Sequence, residues 1–331
     1  METPLSAEEQ LNKLETFRQR LYDDGFTARK DALFDLLDAL LLSGPVRSFA
    51  ELSLNPAFRR QWPSLYAAIE DGQLDIEALR KLLAEMLPQE GVLVFPIDAS
   101  LWPRPASPTL PDRQYGHTGK SKASAAPVQI GYVYSILGWA SEPKTSWTLP
   151  LDVERVPSDQ SETAVGVEQV KRLCERLPAG VVILIVGDCV YGRPAFLIAL
   201  AGERCGILFK LAKNRVLYQE PGPRFGPGRP RKHGEPFAFK DPSTWGEPDE
   251  TVTLETERFG TVVIRSWANL HQKGAAEVPF TLLGVQAHAE RTTPPKPFWL
   301  GYVAPTPAPE ADTSAIPSDA AARWRQYPWR W

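Results

Sequence analysis

The sequence predicts an α/β protein: a helical N-terminal segment, a mixed sheet in the order β-β-β-α-β-α-β, and a β-rich stretch after it. Three observations carry this reading. Apolar residues recur at helical spacing through the first ninety positions. From Gly91 onward, short β-branched and aromatic runs alternate with helical patterns. Four further strand-like runs then follow one another between residues 250 and 303.

The N-terminal elements announce themselves locally. Ser6 and Glu9 have capping-box spacing ahead of the stripe Leu11, Leu14, Phe17 and Leu21. Thr27 is placed to cap a second helix with the apolar face Leu33, Phe34, Leu37, Leu40 and Leu41, closed by Gly44-Pro45. Asp75 is placed to cap another, carrying Leu79, Leu82, Leu83 and Met86 and ended by Pro88. A helical domain over residues 1–90 is expected, with an accessory or DNA-binding role.

In the core, Val92 to Phe95 forms a short apolar run ending at Ile97-Asp98, and Val128 to Leu137 and Ser146 to Val153 read as strands. Pro157-Ser158 opens a helix carrying Val167, Val170, Leu173, Cys174 and Leu177. Val181 to Val186 is unbroken apolar sequence, a strand buried on both faces, and it ends at Gly187-Asp188. Gly192-Arg193-Pro194 starts the next helix, with proline at the first position, where its missing N–H costs nothing. Gly206 to Leu211 is the fifth strand.

The expected boundaries are 91–220 for this core, 221–249 for a basic Gly/Pro-rich loop and 250–303 for the β-rich insertion. The last holds strands at Thr251–Glu257, Thr261–Ala268, Pro279–Ala287 and Phe298–Val303. Residues 304–331 read as a Pro/Ala-rich linker and the start of a helix that Ser318 is placed to cap.

Composition narrows the function classes. With 43% apolar and 23% charged residues over 331 positions, a disordered or fibrous chain is excluded. No apolar run approaches the length of a membrane span, and the start METPLSAEEQ lacks the basic-then-apolar order of a secretory signal. Cys174, Cys189 and Cys205 have neither disulfide-framework nor zinc spacing. A cytoplasmic, nucleoid-associated protein with no membrane contact is expected. The net charge of −3 speaks against a nucleic-acid partner only as an average. Residues 1–90 hold sixteen acids and ten bases, whereas 206–233 hold seven bases and one acid, Glu220. Local asymmetry of this kind is what phosphate binding requires.

Two aspartates occupy matched places. Asp98 follows one apolar strand and Asp188 another, with two strands and a helix between them. That intervening length brings the second strand parallel and adjacent to the first, so the carboxylates converge and present hard oxygen ligands to divalent cations. Two such cations can serve both the attacking and the leaving oxygen of a phosphodiester. Either aspartate taken alone reads sooner as a turn cap, and it is the matched pair that points to a cation site.

The wording around them resembles the DDE transposases of bacterial insertion sequences. The strings are Ser64-Leu-Tyr-Ala-Ala68, Ile97-Asp98-Ala-Ser100, Asp112-Arg-Gln-Tyr115 with His117, Gly131-Tyr-Val-Tyr-Ser135, Pro157-Ser-Asp-Gln160, Gly187-Asp188 with Tyr191-Gly192, and Lys213-Asn-Arg-Val-Leu-Tyr218. The resemblance covers roughly residues 50–331. It implies an RNase-H-like catalytic core, with Asp98 and Asp188 as the first two acids of the triad and as ligands of Mg²⁺ or Mn²⁺. It also implies metal-dependent phosphodiester cleavage and strand transfer on element ends and target DNA, and a homodimer on that DNA. An all-β insertion before the third acid belongs to one branch of these enzymes. There the third acid is a glutamate in a Tyr-x-x-Arg-x-x-x-Glu pattern. This sequence offers Tyr327-Pro-Trp-Arg330 and stops at Trp331, so the expectation is a chain lacking its third acid and inactive as given. Three other readings fit the same residues: a non-catalytic truncated DNA-binding protein, another RNase-H-like nuclease, and an unrelated α/β protein with capping aspartates.

The basic stretch supplies the expected DNA contacts: Lys210, Lys213, Arg215, Arg229, Arg231 and Lys232. Within it Gly228-Arg-Pro230 resembles an AT-hook core, an extended strip suited to a narrow minor groove. Tyr115 and His117 are expected in the loop after the first strand, where a DNA end approaches. His271 and His288 have no partner spacing, and no Walker loop, dinucleotide fingerprint or nucleophile elbow is present.

Overall fold

A computed structural model describes residues 6–46, 48–117, 128–141, 147–223, 231–257, 259–288, 298–306, 308–309, 311–314 and 316–327. The chain divides into two compact units, Met1–Leu87 and Pro88–Trp331. No helix among the described residues is long and apolar enough to cross a membrane.

The first unit holds α1 (Ala7–Gly25), β1 (Phe26–Ala28), α2 (Lys30–Leu42), α3 (Phe49–Leu52), α4 (Trp62–Asp71), β2 (Gln73–Leu74) and α5 (Ile76–Glu85). The capping box forms: Ser6 N donates to Glu9 Oε2 at 2.8 Å, and Glu9 N donates to Ser6 Oγ at 3.3 Å. Asp75 Oδ1 accepts from Ala78 N at 2.9 Å and starts α5.

Thr27 caps nothing. It lies in β1, held extended by pairing with β2, and α2 begins instead from Arg29 in the left-handed region at φ 56°. The buried face of α2 also differs from the apolar stripe: Ala32, Asp35, Leu36 and Ala39 are inside, while Leu40 and Leu41 are exposed. Asp35 can be buried because Arg59 and Arg60 clasp it, with Arg59 Nη2 at 2.6 Å from Oδ1 and Arg60 Nη1 at 3.0 Å from Oδ2.

The second unit begins with β3 (Gly91–Pro103), β4 (Gln114–His117), β5 (Val128–Trp139), β6 (Leu149–Val156), α6 (Glu162–Arg176), β7 (Val181–Gly187), α7 (Pro194–Ala199) and β8 (Cys205–Leu211). It continues with β9 (Val216–Tyr218), β10 (Pro236–Ala238), β11 (Glu250–Thr256), β12 (Gly260–Gln272), β13 (Ala275–His288), β14 (Phe298–Val303) and α8 (Ala320–Arg325). One sheet runs β10-β9-β12-β13-β14-β8-β7-β3-β5-β4, with β11 on β12 and β6 on β5.

Strand β3 is parallel to β7 and β7 to β8, whereas β3–β5 and β5–β6 are antiparallel. The series β6-β5-β3-β7-β8, with α6 and α7 as connections, is an RNase-H-like mixed sheet. The β-rich stretch is joined to it directly, because β14 pairs antiparallel with β8. Every residue of β7 is buried, as a parallel strand covered on both faces requires.

Helix α6 packs its stripe of Val167, Val170, Leu173 and Cys174 inward and starts at the Ser161 cap, beyond the Pro157 turn. Gln169 on that face is buried yet satisfied. Its Oε1 accepts from Ser135 Oγ at 2.6 Å, and its Nε2 donates to Ser135 O and Asp152 O. The Arg204 guanidinium closes the far end, donating to Cys174 O at 2.8 Å, Pro178 O at 3.0 Å and Leu177 O. It thereby supplies orphan C-terminal carbonyls with partners. The last helix is capped by Asp319, whose Oδ1 accepts from Ala322 N at 2.7 Å, while Ser318 O accepts from Arg323. Trp324 and Tyr327 belong to one buried cluster with Val94, Leu184 and Leu208, and α8 lies against β11 and β12.

Candidate active site at the ends of two parallel strands

The parallel register of β3 and β7 runs from Gly91↔Val181 to Ile97↔Gly187 and stops there. The next residue on each strand is an aspartate. Adjacent parallel strands lie roughly 4.8 Å apart, so Asp98 and Asp188 leave their strands side by side. Asp98 does not follow a short strand, as the sequence suggested. Strand β3 continues to Pro103 because β5 takes over its pairing, with Asp98 opposite Ile136. Asp98 therefore sits where β3 parts from β7.

Both carboxylates are oriented by backbone. Asp98 Oδ1 accepts from Ala99 N at 2.8 Å, and Asp188 Oδ1 accepts from Val190 N at 2.7 Å. Both line one cleft of about 520 Å³ that also takes in Glu162, Tyr191 and Arg193. Asp98 faces solvent through the cleft mouth, yet the surrounding protein desolvates it and raises its pKa. The negative charge of Asp188 adds to that rise, and the Ala99 N–H opposes it. Burial likewise raises Glu162, with the charges of Asp188 and Asp98 adding and Arg193 opposing. Among the described residues, no three His, Cys, Asp or Glu side chains stand close enough to share one ion as they are placed. Two backbone-oriented carboxylates lining one cleft are oxygen donors of the hard kind that a divalent cation takes.

Sequence reasoning missed Glu162. Its one signal was the Ser161-Glu162 helix start directly after the third core strand. Tyr115, 77% exposed, lines the same cleft, but from β4 and not from a loop, since Tyr115 and His117 pair with β5. Openings on the N-terminal unit, such as that lined by Tyr22, Arg29 and Arg60, carry charges that are already paired. Arg29 meets Asp71, and Arg60 meets Asp31 and Asp35.

Of the expected DNA contacts, Lys210 is half-buried on β8, and Lys213 and Arg215 are exposed in the turn after it. The charges of Lys210 and Arg215 act on the Cys189 thiol, which burial and the adjoining Asp188 raise. These two cations therefore act near Cys189, the residue after Asp188. Arg231 and Lys232 are exposed ahead of β10, while Arg229 and the Gly-Arg-Pro string lie outside the described residues.

His233, next in sequence, is hydrogen-bonded to buried His271 (Nδ1 to Nε2, 2.9 Å) and packs on Tyr218. Gln272 Nε2 donates to Gly192 O at 2.7 Å, so this end of β12 meets the turn that follows Asp188. Burial, and secondarily the charge of His233, lower the pKa of His271 below its ordinary 6.5, against a smaller opposing effect of Glu220. A base held neutral in the fold contributes stability that is complete above the unfolded value. That stability is lost as pH falls through the lowered folded value. Melting between pH 7.5 and 5 is expected to show a fall below about 6.5 that His271→Gln makes shallower. An equal fall in both proteins would place the sensitivity elsewhere.

A family model described as DDE superfamily endonuclease matches residues 21–270, a span that contains Asp98, Glu162 and Asp188. The chain belongs to that superfamily. Among solved structures, this chain is similar to the Drosophila P element transposase strand transfer complex. Identity there is 16% over 58% of this chain and 41% of that one, with a TM-score of 0.30. It is also similar to the Mos1 strand transfer complex, at 12% identity over 62% of this chain and 67% of that one, with a TM-score of 0.21. The chain thus spans about two fifths of the P element transposase chain. No curated protein matches it in sequence.

Proposed function

We propose that this DDE endonuclease is the transposase of a bacterial insertion sequence, binding the ends of its own element and transferring them to target DNA. The observation that carries the reading is the adjacency of Asp98 and Asp188, one residue past the last β3–β7 pair and inside the family match. Held by these carboxylates, Mg²⁺ or Mn²⁺ would activate an attacking oxygen and stabilise a leaving one in phosphodiester exchange.

The chain's own groups support the assignment. The N–H groups of Ala99 and Val190 fix one oxygen of each aspartate, which presets the carboxylates before any ligand arrives. Lys210, Lys213 and Arg215 offer phosphate contacts next to the pair, and Arg229, Arg231 and Lys232 extend them along the basic segment. Water is the first nucleophile, and the freed 3′-hydroxyl is the second. A homodimer assembles on the DNA, with the helical N-terminal unit contacting DNA or the second copy.

Phosphate contacts release counterions, so affinity for duplexes carrying the element's terminal sequences is expected to fall by about 10³-fold between 50 and 200 mM salt. Flat affinity over that range would overturn the basic face. Binding without any Mg²⁺-dependent nicking, unchanged by Asp98→Ala, would favour a non-catalytic DNA-binding protein.

A further inference from the structure

We propose that Arg193 holds the two non-bridging oxygens of a DNA phosphate in the aspartate cleft, a role that rests on the reading of this cleft as the place where phosphodiesters react. Asp98, Asp188 and Glu162 line the cleft, and among its described lining residues Arg193 alone carries a positive charge. A phosphate that approaches carboxylates is repelled unless a cation receives it. A guanidinium receives it through two parallel N–H donors matched to two phosphate oxygens, which also fixes the orientation of the group.

The donors of Arg193 are available for this. The residue is exposed, and among the described residues its side chain makes no hydrogen bond and no ion pair. By contrast Arg155 is committed to Asp112, Arg172 to Asp152 and Glu154, and Arg204 to backbone carbonyls. The backbone under Arg193 is held while the side chain stays free. Tyr191 is buried and meets buried Phe196 edge-on with ring centroids 5.2 Å apart, and Gly192 O accepts from Gln272 Nε2 at 2.7 Å. Pro194 follows with its φ locked, and Arg193 O accepts from Phe196 N at 3.1 Å. The same turn carries Asp188. Its Oδ1 accepts from Val190 N at 2.7 Å, and Val190 O accepts from Arg193 N at 3.4 Å. One short segment thus sets a carboxylate at one end and the guanidinium at the other.

The test is binding of a fluorescent duplex of arbitrary sequence to the full chain in EDTA, over a range of salt. Thermal melting is the fold control, and Mn²⁺ calorimetry without DNA reports on the aspartates. Phosphate contacts carry no sequence information, so an arbitrary duplex suffices. Arg193→Gln is expected to weaken the duplex about tenfold. It is also expected to make the slope of log affinity against log salt shallower by about one, with Mn²⁺ affinity and melting not reduced. Arg193→Lys keeps the charge and loses the fork, so it is expected to restore the slope with only part of the affinity. Wild-type slope in Arg193→Gln, with the wild-type chain itself salt-sensitive, would overturn the role of Arg193 and leave the DNA reading standing. A wild-type chain that binds no duplex would overturn that reading and the arginine with it. Loss of Mn²⁺ affinity in Arg193→Gln would place the effect in the Asp188 turn and overturn the phosphate contact. If Arg193→Gln melts early, Arg193→Lys decides: wild-type affinity there overturns the proposal, and reduced affinity with the slope kept supports it.

Discussion

Asp188→Asn and Asp98→Asn are each expected to lower Mn²⁺ affinity by at least about 10- to 100-fold. Both are expected to leave metal-free stability at or slightly above wild type. Asparagine keeps an oxygen for the Val190 or Ala99 N–H, so the local turn survives. What it removes is the charge that a cation needs and that its neighbour opposes. Burial is the main reason Asp98 resists ionising and the negative charge of Asp188 adds to it, so Asp188→Asn relieves Asp98. Calorimetry measures the loss, and melting measures the fold. Loss of metal binding together with a large drop in melting temperature would point to a structural role instead.

The second large effect is on stability. Phe209→Ala is expected to lower the unfolding free energy of the second unit by about 3–5 kcal/mol. Phe209 lies on β8, is fully buried, and meets Phe280 edge-on with ring centroids 5.3 Å apart. Two glycines make room for it. A Cβ at Gly301 would stand 2.3 Å from Phe209 Cζ, and one at Gly192 would stand 2.6 Å from Cδ2. Surroundings shaped this closely collapse poorly around a void, which puts the cost at the upper end for a core truncation. Because β8 supports β7, and Gly192 lies in the turn after Asp188, metal affinity is expected to weaken as well. Denaturant unfolding followed by tryptophan fluorescence measures the first effect. A loss below about 1 kcal/mol would mean that β8 and β14 repack around the gap.

What the sequence disclosed was local. Ser6, Glu9 and Asp75 act within a single helical turn, so their caps were legible. Val181–Val186 was legible because a strand covered on both faces must be apolar throughout, and the Gly187-Asp188 step marks its end. What stayed hidden depended on partners far away in the chain. Thr27 became part of a strand because Phe26 finds Leu74. Helix α2 turned Asp35 inward because Arg59 and Arg60 arrive to neutralise it. Asp98 moved to mid-strand because β5 extends the pairing of β3. The four late strands were visible one by one, but their junction with the core through β14 and β8 was not. Glu162 was not legible as part of the cleft: an acid at a helix start is ordinary on dipole grounds alone, and only the placement of α6 brings it to the cleft of Asp98 and Asp188.

The central claim is that Asp98 and Asp188 meet at one cation, and diffraction from crystals grown with Mn²⁺ tests it most directly. The account predicts an anomalous peak at the mouth of the cleft, within coordination distance of one carboxylate oxygen from each residue. An ion bound elsewhere, or a pair of carboxylates held too far apart to share one, would contradict it.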